Sequence, residues 1–319
     1  METTQKQAVI TAVKEYMAQH SLTQADVASK TGLNKGYVNI LLKEGSDFKY
    51  TAGDKTGDIA DSYFFALAEF AGFKLKKEYW EMKATNQLYA VLSNLQTAKD
   101  HGEANVIVGE TGCGKSYSVK LYASKHPRDT FIITVGSSDN LGDLLDKIID
   151  QLRLTTGKTK SNKIRSIALW LKVLKNQGLS PQLIFDEAEY MKQPALCAFK
   201  ELYDALHSLC SLVLIGTDQL TENIEKLRKR NKAGMPQFYR RIKFGIRILP
   251  VIDRSFKDFT ENITSRDVKN FIQTYCDNYG EVHDMLVPAL READRTKEPL
   301  TVPFIKKVLN LPEGMYAWK

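Results

Sequence analysis

Ala104-Asn-Val-Ile-Val-Gly-Glu-Thr-Gly-Cys-Gly-Lys-Ser116 reads as a short buried strand, a glycine loop and the first turn of a helix. Gly109, Gly114, Lys115 and Ser116 fill the phosphate-loop spacing G-x-x-x-x-G-K-[ST]. Glycines let the backbone curl until successive N–H groups point inward at phosphate oxygens. Lys115 is then expected to reach the β- and γ-phosphates and Ser116 to bind Mg²⁺. The following helix offers its positive end to the anion. The apolar run Val106-Ile107-Val108 directly before the loop sets this pattern apart from a glycine-rich surface turn.

A chain of 319 residues is long enough for a sizeable core and two or three domains. With 43% hydrophobic and 26% charged residues it has the composition of a globular protein, which argues against disorder. No apolar run approaches the roughly 20 residues that span a bilayer. Met1-Glu-Thr-Thr-Gln-Lys6 lacks the apolar segment of a signal peptide, so a cytoplasmic protein without membrane partners is expected. The four cysteines, Cys113, Cys197, Cys210 and Cys276, have neither zinc-site spacing nor disulfide density and are expected as reduced thiols.

The net charge of +7 is unevenly spread. Residues 151–176 carry Arg153, Lys158, Lys160, Lys163, Arg165, Lys172 and Lys175 and no acid. Residues 225–254 carry Lys226, Arg228, Lys229, Arg230, Lys232, Arg240, Arg241, Lys243, Arg247 and Arg254 against Glu225 and Asp253. The rest of the chain is net acidic. Such concentration suggests a polyanion partner, although either run alone equally suits a solvated face.

A small helical domain is expected over residues 1–75. Ala8, Val9, Val13, Tyr16 and Met17 recur at helical spacing. Thr23 can cap a helix burying Val27 and Ala28; after a turn at Gly32, Asn34 can cap a second helix burying Val38, Leu41 and Leu42. This pair resembles the repressor-type helix-turn-helix, whose second helix lies in the major groove and would here present Asn34, Lys35, Tyr37 and Asn39 to DNA. A helical hairpin used only for packing has the same pattern. Phe48 to Gly57 reads as a connector, Ile59 to Phe73 as an apolar helix, Lys74-Leu-Lys-Lys-Glu78 as a charged boundary, and Tyr79 to Thr97 as an amphipathic helix.

Beyond the phosphate loop, apolar runs alternate with helical stretches: Thr130–Val135, Gln182–Asp186, Leu212–Gly216 and Ile242–Leu249. Runs this continuous suit strands buried on both faces, and the alternation implies an α/β domain with a mostly parallel sheet over residues 76–252. The run Gln182-Leu-Ile-Phe-Asp186 ends in two adjacent carboxylates, Asp186 and Glu187. Their side chains point in different directions and suit different tasks. Asp186 fits the Mg²⁺ shell opposite Ser116, and Glu187 the attacking water. Residues 253–319 read as a helical lid, with helix starts at Ser265 and Thr301 and a helix through Met285 and Leu290.

Taken in order, the phosphate loop, Asp186-Glu187, Gly216-Thr217-Asp218 and Phe238-Tyr-Arg-Arg-Ile242 resemble the AAA+ ATPases. A helix-turn-helix domain in front is similar to the layout of the phage Mu B-type transposition proteins, ATP-dependent target-selection partners of transposases. The resemblance implies a P-loop fold, ATP and Mg²⁺ as ligands, and ATP surrounded by Gly109, Glu110, Thr111, Gly112, Cys113, Gly114, Lys115, Ser116 and Tyr117. Tyr79, Trp80 and Asn86 to Tyr89 match the segment that packs on adenine in the family. Thr217 takes a sensor position where Asn is commoner. Arg240 or Arg241 matches the arginine that reaches a neighbouring subunit's site. The lid offers His283 where the family carries an arginine, and a neutral imidazole cannot replace a guanidinium at a phosphate. The implied activity is ATP hydrolysis by a ring or filament on double-stranded DNA that delivers its target to a transposase. Lys158, Lys160, Lys163, Arg165, Arg228, Lys229, Arg230 and Lys232 are the expected DNA contacts outside the helix-turn-helix. A nucleotide-gated transcription regulator and a replication initiator or helicase loader are the competing readings.

Overall fold

Val106 and Val108 turn to one side of their strand and Ile107 to the other, and both sides are packed. The computed structural model describes residues 1, 3–52, 55–73 and 79–311; the charged boundary expected at residues 74–78 lies outside them. The chain divides into two compact units, Met1–Tyr79 and Trp80–Lys319.

The first unit holds α1 (Thr3–Gln19), α2 (Gln24–Thr31), α3 (Lys35–Leu42), strands β1 (Lys49–Ala52) and β2 (Lys55–Asp58), and α4 (Asp61–Phe70). Thr23 and Asp26 form a reciprocal capping box on α2, and Asn34 Oδ1 accepts from Gly36 N at 2.8 Å to start α3. Val9, Val13, Val27, Val38, Leu41, Phe64 and Leu67 are buried together as its core. The stretch expected as a connector is an antiparallel hairpin, β1 on β2, so this unit is not all-α. Its strands have little apolar alternation to announce them. Tyr50 of β1 instead meets Tyr37 of α3 edge-on at 5.3 Å.

The second unit contains α5 (Asn86–His101), β3 (Ala104–Val108), α6 (Lys115–Lys125), β4 (Thr130–Thr134), α7 (Leu141–Leu152) and α8 (Lys160–Asn176). It continues through β5 (Gln182–Asp186), α9 (Gln193–Leu206), β6 (Ser211–Gly216), α10 (Asp218–Lys229), α11 (Met235–Ile242) and β7 (Ile246–Ile248). The lid helices are α12 (Arg266–Tyr275), α13 (Tyr279–Thr296) and α14 (Val302–Val308). The sheet order is β4-β5-β6-β3-β7, with every pair parallel. Leu183, Phe185, Leu212 and Leu214 join Val106 on the face covered by α7 to α11. Ile184, Val213 and Ile215 join Ile107 on the face covered by α5, α6 and the lid. The sheet order matters for function because β6 lies between β3 and β5. The carboxyl end of β6, at Gly216-Thr217, therefore stands between the phosphate loop and Asp186, where ligands of open α/β sheets bind.

Two expected elements differ. The strand expected over Ile242–Leu249 is only Ile246–Ile248, preceded by α11 and a single 3₁₀ turn at Lys243–Gly245. Pro236 in the first turn and buried Met235, Phe238 and Ile242 at helical spacing favour the helix. The helix expected from Tyr79 begins instead at Asn86, where the Thr85 hydroxyl accepts from Leu88 N.

One buried ion pair fixes α5 to β4. Lys99 Nζ lies 2.5 Å from Asp129 Oδ1 and 2.7 Å from Thr130 Oγ1, and Asp129 Oδ2 accepts from Ser180 N at 3.1 Å. Removing the anion leaves a buried ammonium with only the Thr130 hydroxyl as a partner among the contacts above. Asp129→Ala should therefore destabilise the second unit by about 3–5 kcal/mol, read as an earlier urea transition. An unchanged midpoint would mean that water reaches Lys99.

Candidate functional site

Gly109 ends β3 and Lys115 begins α6, so the loop between them lies at the carboxyl edge of the sheet. Gly112 and Gly114 both have positive φ, 70° and 92°. At Gly112 a side chain is also excluded by contact: a Cβ would stand 2.1 Å from Asn278 Oδ1 of the lid. Gly280 N donates to Gly112 O at 3.2 Å, so the amino end of α13 is fastened directly to the loop. Lys115 Nζ donates to Gly109 O at 2.9 Å and Glu110 O at 2.8 Å, which holds the ammonium across the loop.

Lys115, Ser116, Asp186, Glu187, Thr217 and Thr111 line one cleft of about 290 Å³, with Glu189 and Gly216. Asp186 is buried, and its Oδ1 accepts from Glu187 N at 3.1 Å. Glu187 is exposed and sits at φ 57°, in the left-handed region, so the chain turns sharply as it leaves β5. A non-glycine residue there carries strain, and such strain gathers at functional sites. Ser116 and Asp186 bring a hydroxyl and a carboxylate, hard oxygen donors suited to Mg²⁺ with the remaining positions left to phosphate and water.

A second cavity of about 330 Å³ shares Gly112, Lys115 and Ser116 with the first. Its walls are Trp80, Phe259, Tyr279, His283, Tyr117 and Thr85. Trp80 stacks on Phe259 at 4.7 Å with a 10° angle between ring planes, and the His283 ring meets Trp80 edge-on at 5.1 Å. This is an aromatic compartment opening beside the phosphate loop, of the size and character for a purine. Of the expected adenine-side residues, Trp80 lines it. Gln87 is buried behind it, donating to Pro250 O and Val251 O and accepting from the Tyr279 hydroxyl, while Tyr89 is exposed elsewhere. Phe259 and Tyr279 were not legible as wall residues because both come from the far end of the chain.

Other expected site residues fall differently. The Glu110 carboxylate is turned to the start of the lid segment, 2.5 Å from Arg254 Nη2 and 3.2 Å from Ile252 N. Cys113 is buried, and burial pushes its thiol above the ordinary range, so only its backbone can face a ligand. His283 lies beside the loop with Nδ1 2.8 Å from Asp284 Oδ1. Arg240 and Arg241 line neither cleft. Arg241 Nε donates to Asp204 Oδ1 at 2.8 Å and holds that carboxyl below its usual range. Arg240 is exposed and has no ion-pair partner among the described residues.

The expected DNA contacts sort in the same way. Asn34 is occupied as a helix cap, and Tyr37 is wedged between Tyr50 and Tyr63, which leaves Lys35 and Asn39 exposed on α3. Lys163 pairs with Asp146, Arg228 with Glu225 at 2.6 Å, and Lys229 lies 3.9 Å from Glu225. Lys158, Lys160, Arg165, Arg230 and Lys232 are exposed, without ion-pair partners among the described residues. Helices α8 and α10, which carry or adjoin these groups, pack on the same face of the sheet.

Residues 98–224 match the model of the AAA domain family. With its parallel sheet and the loop between β3 and α6, the second unit has an α/β P-loop fold of the AAA+ type. It is similar to the Mu-like prophage FluMu DNA transposition protein B of Haemophilus influenzae, 23% identical over 213 residues, or 66% of this chain and 70% of that one. Two solved structures share the AAA+ fold. Cdc6p from Pyrobaculum aerophilum has a TM-score of 0.56 at 13% identity, covering 73% of this chain and 69% of that one. The Aeropyrum pernix ORC2 protein has a TM-score of 0.51 at 15% identity, over 70% of this chain and 66% of that one. No helix among the described residues is long and apolar enough to cross a membrane.

Proposed function

We propose that this AAA+ protein hydrolyses ATP, assembles on double-stranded DNA and presents that DNA to a transposase. The observation that carries the hydrolytic part is the meeting of Lys115, Ser116, Asp186, Glu187 and Thr217 in one cleft joined to an aromatic compartment. Loop N–H groups cradle the phosphates, and Lys115 exchanges its two loop carbonyls for phosphate oxygens. Mg²⁺, held by Ser116 and Asp186, would supply charge neutralisation on the phosphoryl oxygens. Glu187 accepts the proton of the attacking water, and Trp80 and Tyr279 bound the base.

Self-assembly is supported by Arg240, an exposed cation outside its own clefts, and by exposed apolar side chains that follow it in the chain. Phe244, Ile248 and Val251, along the edge strand β7 and its flanks, are 83%, 82% and 73% exposed. A second copy covering that edge would receive Arg240 at its own phosphates, a head-to-tail contact that builds rings or filaments. The similarity to a DNA transposition protein supports DNA as the partner and a transposase as the recipient. Lys158, Lys160, Arg165, Arg230 and Lys232 supply phosphate contacts with little sequence preference, and Lys35 and Asn39 a further contact from the first unit.

The test is DNA affinity against salt in the presence of ATP. With about four phosphates neutralised, affinity should fall about a hundredfold between roughly 50 and 200 mM salt. A flat profile would remove the phosphate-contact reading. A Mu-type transposase should raise turnover of the DNA-bound protein; no response would leave a DNA-binding ATPase without the delivery role.

A further inference from the structure

The hydrolytic cleft holds a third carboxylate that the phosphate-loop and Asp-Glu patterns do not account for. Glu189 lies in the 3₁₀ turn Ala188–Tyr190 that follows Glu187. Its Oε1 accepts from Thr217 Oγ1 at 3.2 Å, whereas its Oε2 is buried without a hydrogen-bond partner. The carboxylate lies directly over Gly216, where a Cβ would come within 2.3 Å of Oε2, so glycine at the end of β6 is what admits it.

Thr217 supplies the second observation. It is the N-cap of α10, a position where a threonine hydroxyl ordinarily accepts from the N–H groups of the first turn. Here it makes no such bond. The hydroxyl is committed to Glu189 instead, and as the donor. With its proton so fixed, its lone pairs are left for the cleft that it lines with Glu187.

We infer that Glu189 is a positioning residue for hydrolysis, setting the Thr217 hydroxyl as an acceptor toward the attacking water. This rests on the proposed ATPase reading. The water then gives one O–H to Glu187 and the other to Thr217. With both O–H groups so held, a lone pair of the water oxygen is directed at the γ-phosphorus. As the O–P bond forms and the bond to the ADP oxygen breaks, one proton passes to Glu187; Thr217 and Glu189 exchange none.

The test is steady-state turnover and fluorescent-ATP affinity for wild type, Glu189→Ala, Glu189→Gln, Thr217→Val and the Glu189→Ala/Thr217→Val double variant. Glu189→Ala should lower kcat by about tenfold to a hundredfold with little change in affinity, the size of effect expected from misplacing a reactant. Glu189→Gln keeps an acceptor oxygen for Thr217 and should stay within about threefold of wild type. The double variant should turn over within about twofold of Thr217→Val, because Glu189 acts only through Thr217. Wild-type turnover by Glu189→Ala, losses that multiply in the double variant, or Glu189→Gln as slow as Glu189→Ala would each overturn the inference. Should Glu189→Ala fail to fold, Thr217→Val decides: it should lose kcat by a similar factor with affinity kept, and wild-type turnover by it would overturn the inference. A wild-type protein that binds ATP without turning it over would instead sink the hydrolytic reading, and the inference with it.

Discussion

Glu187→Gln should bind ATP as tightly as the wild type while phosphate release falls by about a hundredfold or more. Glutamine keeps the shape and the backbone turn at φ 57° but cannot accept the water's proton. Asp186, Ser116 and Lys115 are untouched, so the nucleotide keeps its contacts and only the step that consumes it is lost. The variant should then accumulate on DNA in the ATP-bound assembly, visible as slower dissociation. Phosphate release and fluorescent-ATP binding measured on one preparation check both halves of the expectation. Turnover at the wild-type rate would remove Glu187 from the reaction and shift attention to Glu189, the remaining carboxylate of the cleft.

How far the sequence reaches is set by which contacts are local. Strands β3, β5 and β6 are buried at every position, and their continuous apolar runs announced them. The lid helices were legible from their caps: Ser265 accepts from Val268 N and Thr301 from Phe304 N, as short-range patterns require. The hairpin at Lys49–Asp58 was not legible, because its polar strands depend on Tyr50 packing against a tyrosine 13 positions earlier in the chain. The segment before Asn86 looked helical for the opposite reason. It is rich in side chains that suit a helix, yet Trp80 is held by Phe259 from the other end of the domain.

Residue chemistry was more legible than residue roles. The phosphate-loop spacing and the Asp186-Glu187 pair pointed to one site, and the fold brings both to a single cleft. Glu189 stood two residues from Glu187 throughout. Only the 3₁₀ turn and the missing side chain at Gly216 return it to the same cleft. Neighbouring arginines pose the same difficulty: sequence offers no reason to choose between Arg240 and Arg241, but tertiary contacts do.

Arg240→Ala should lower assembly-dependent turnover by about a thousandfold, and Arg241→Ala should leave it near the wild-type rate. Arg241 is committed within its own subunit to Asp204, a carboxylate that Lys200 also approaches at 2.7 Å. Both partners of the Arg241 pair are about one third exposed, so losing it should also cost little stability. Arg240 is exposed and has no ion-pair partner among the described residues, so in the proposed assembly it is the guanidinium left to complete a neighbour's site. Mixing tests that directly. Arg240→Ala subunits retain Glu187 and lack the donated arginine; Glu187→Gln subunits retain the arginine and lack the base. Neither should turn over alone, whereas a random equal mixture places an intact Arg240 against an intact Glu187 at roughly one interface in four. Turnover should therefore reappear on mixing. Two variants that co-assemble on DNA and stay inactive would show that Arg240 does not act across the interface.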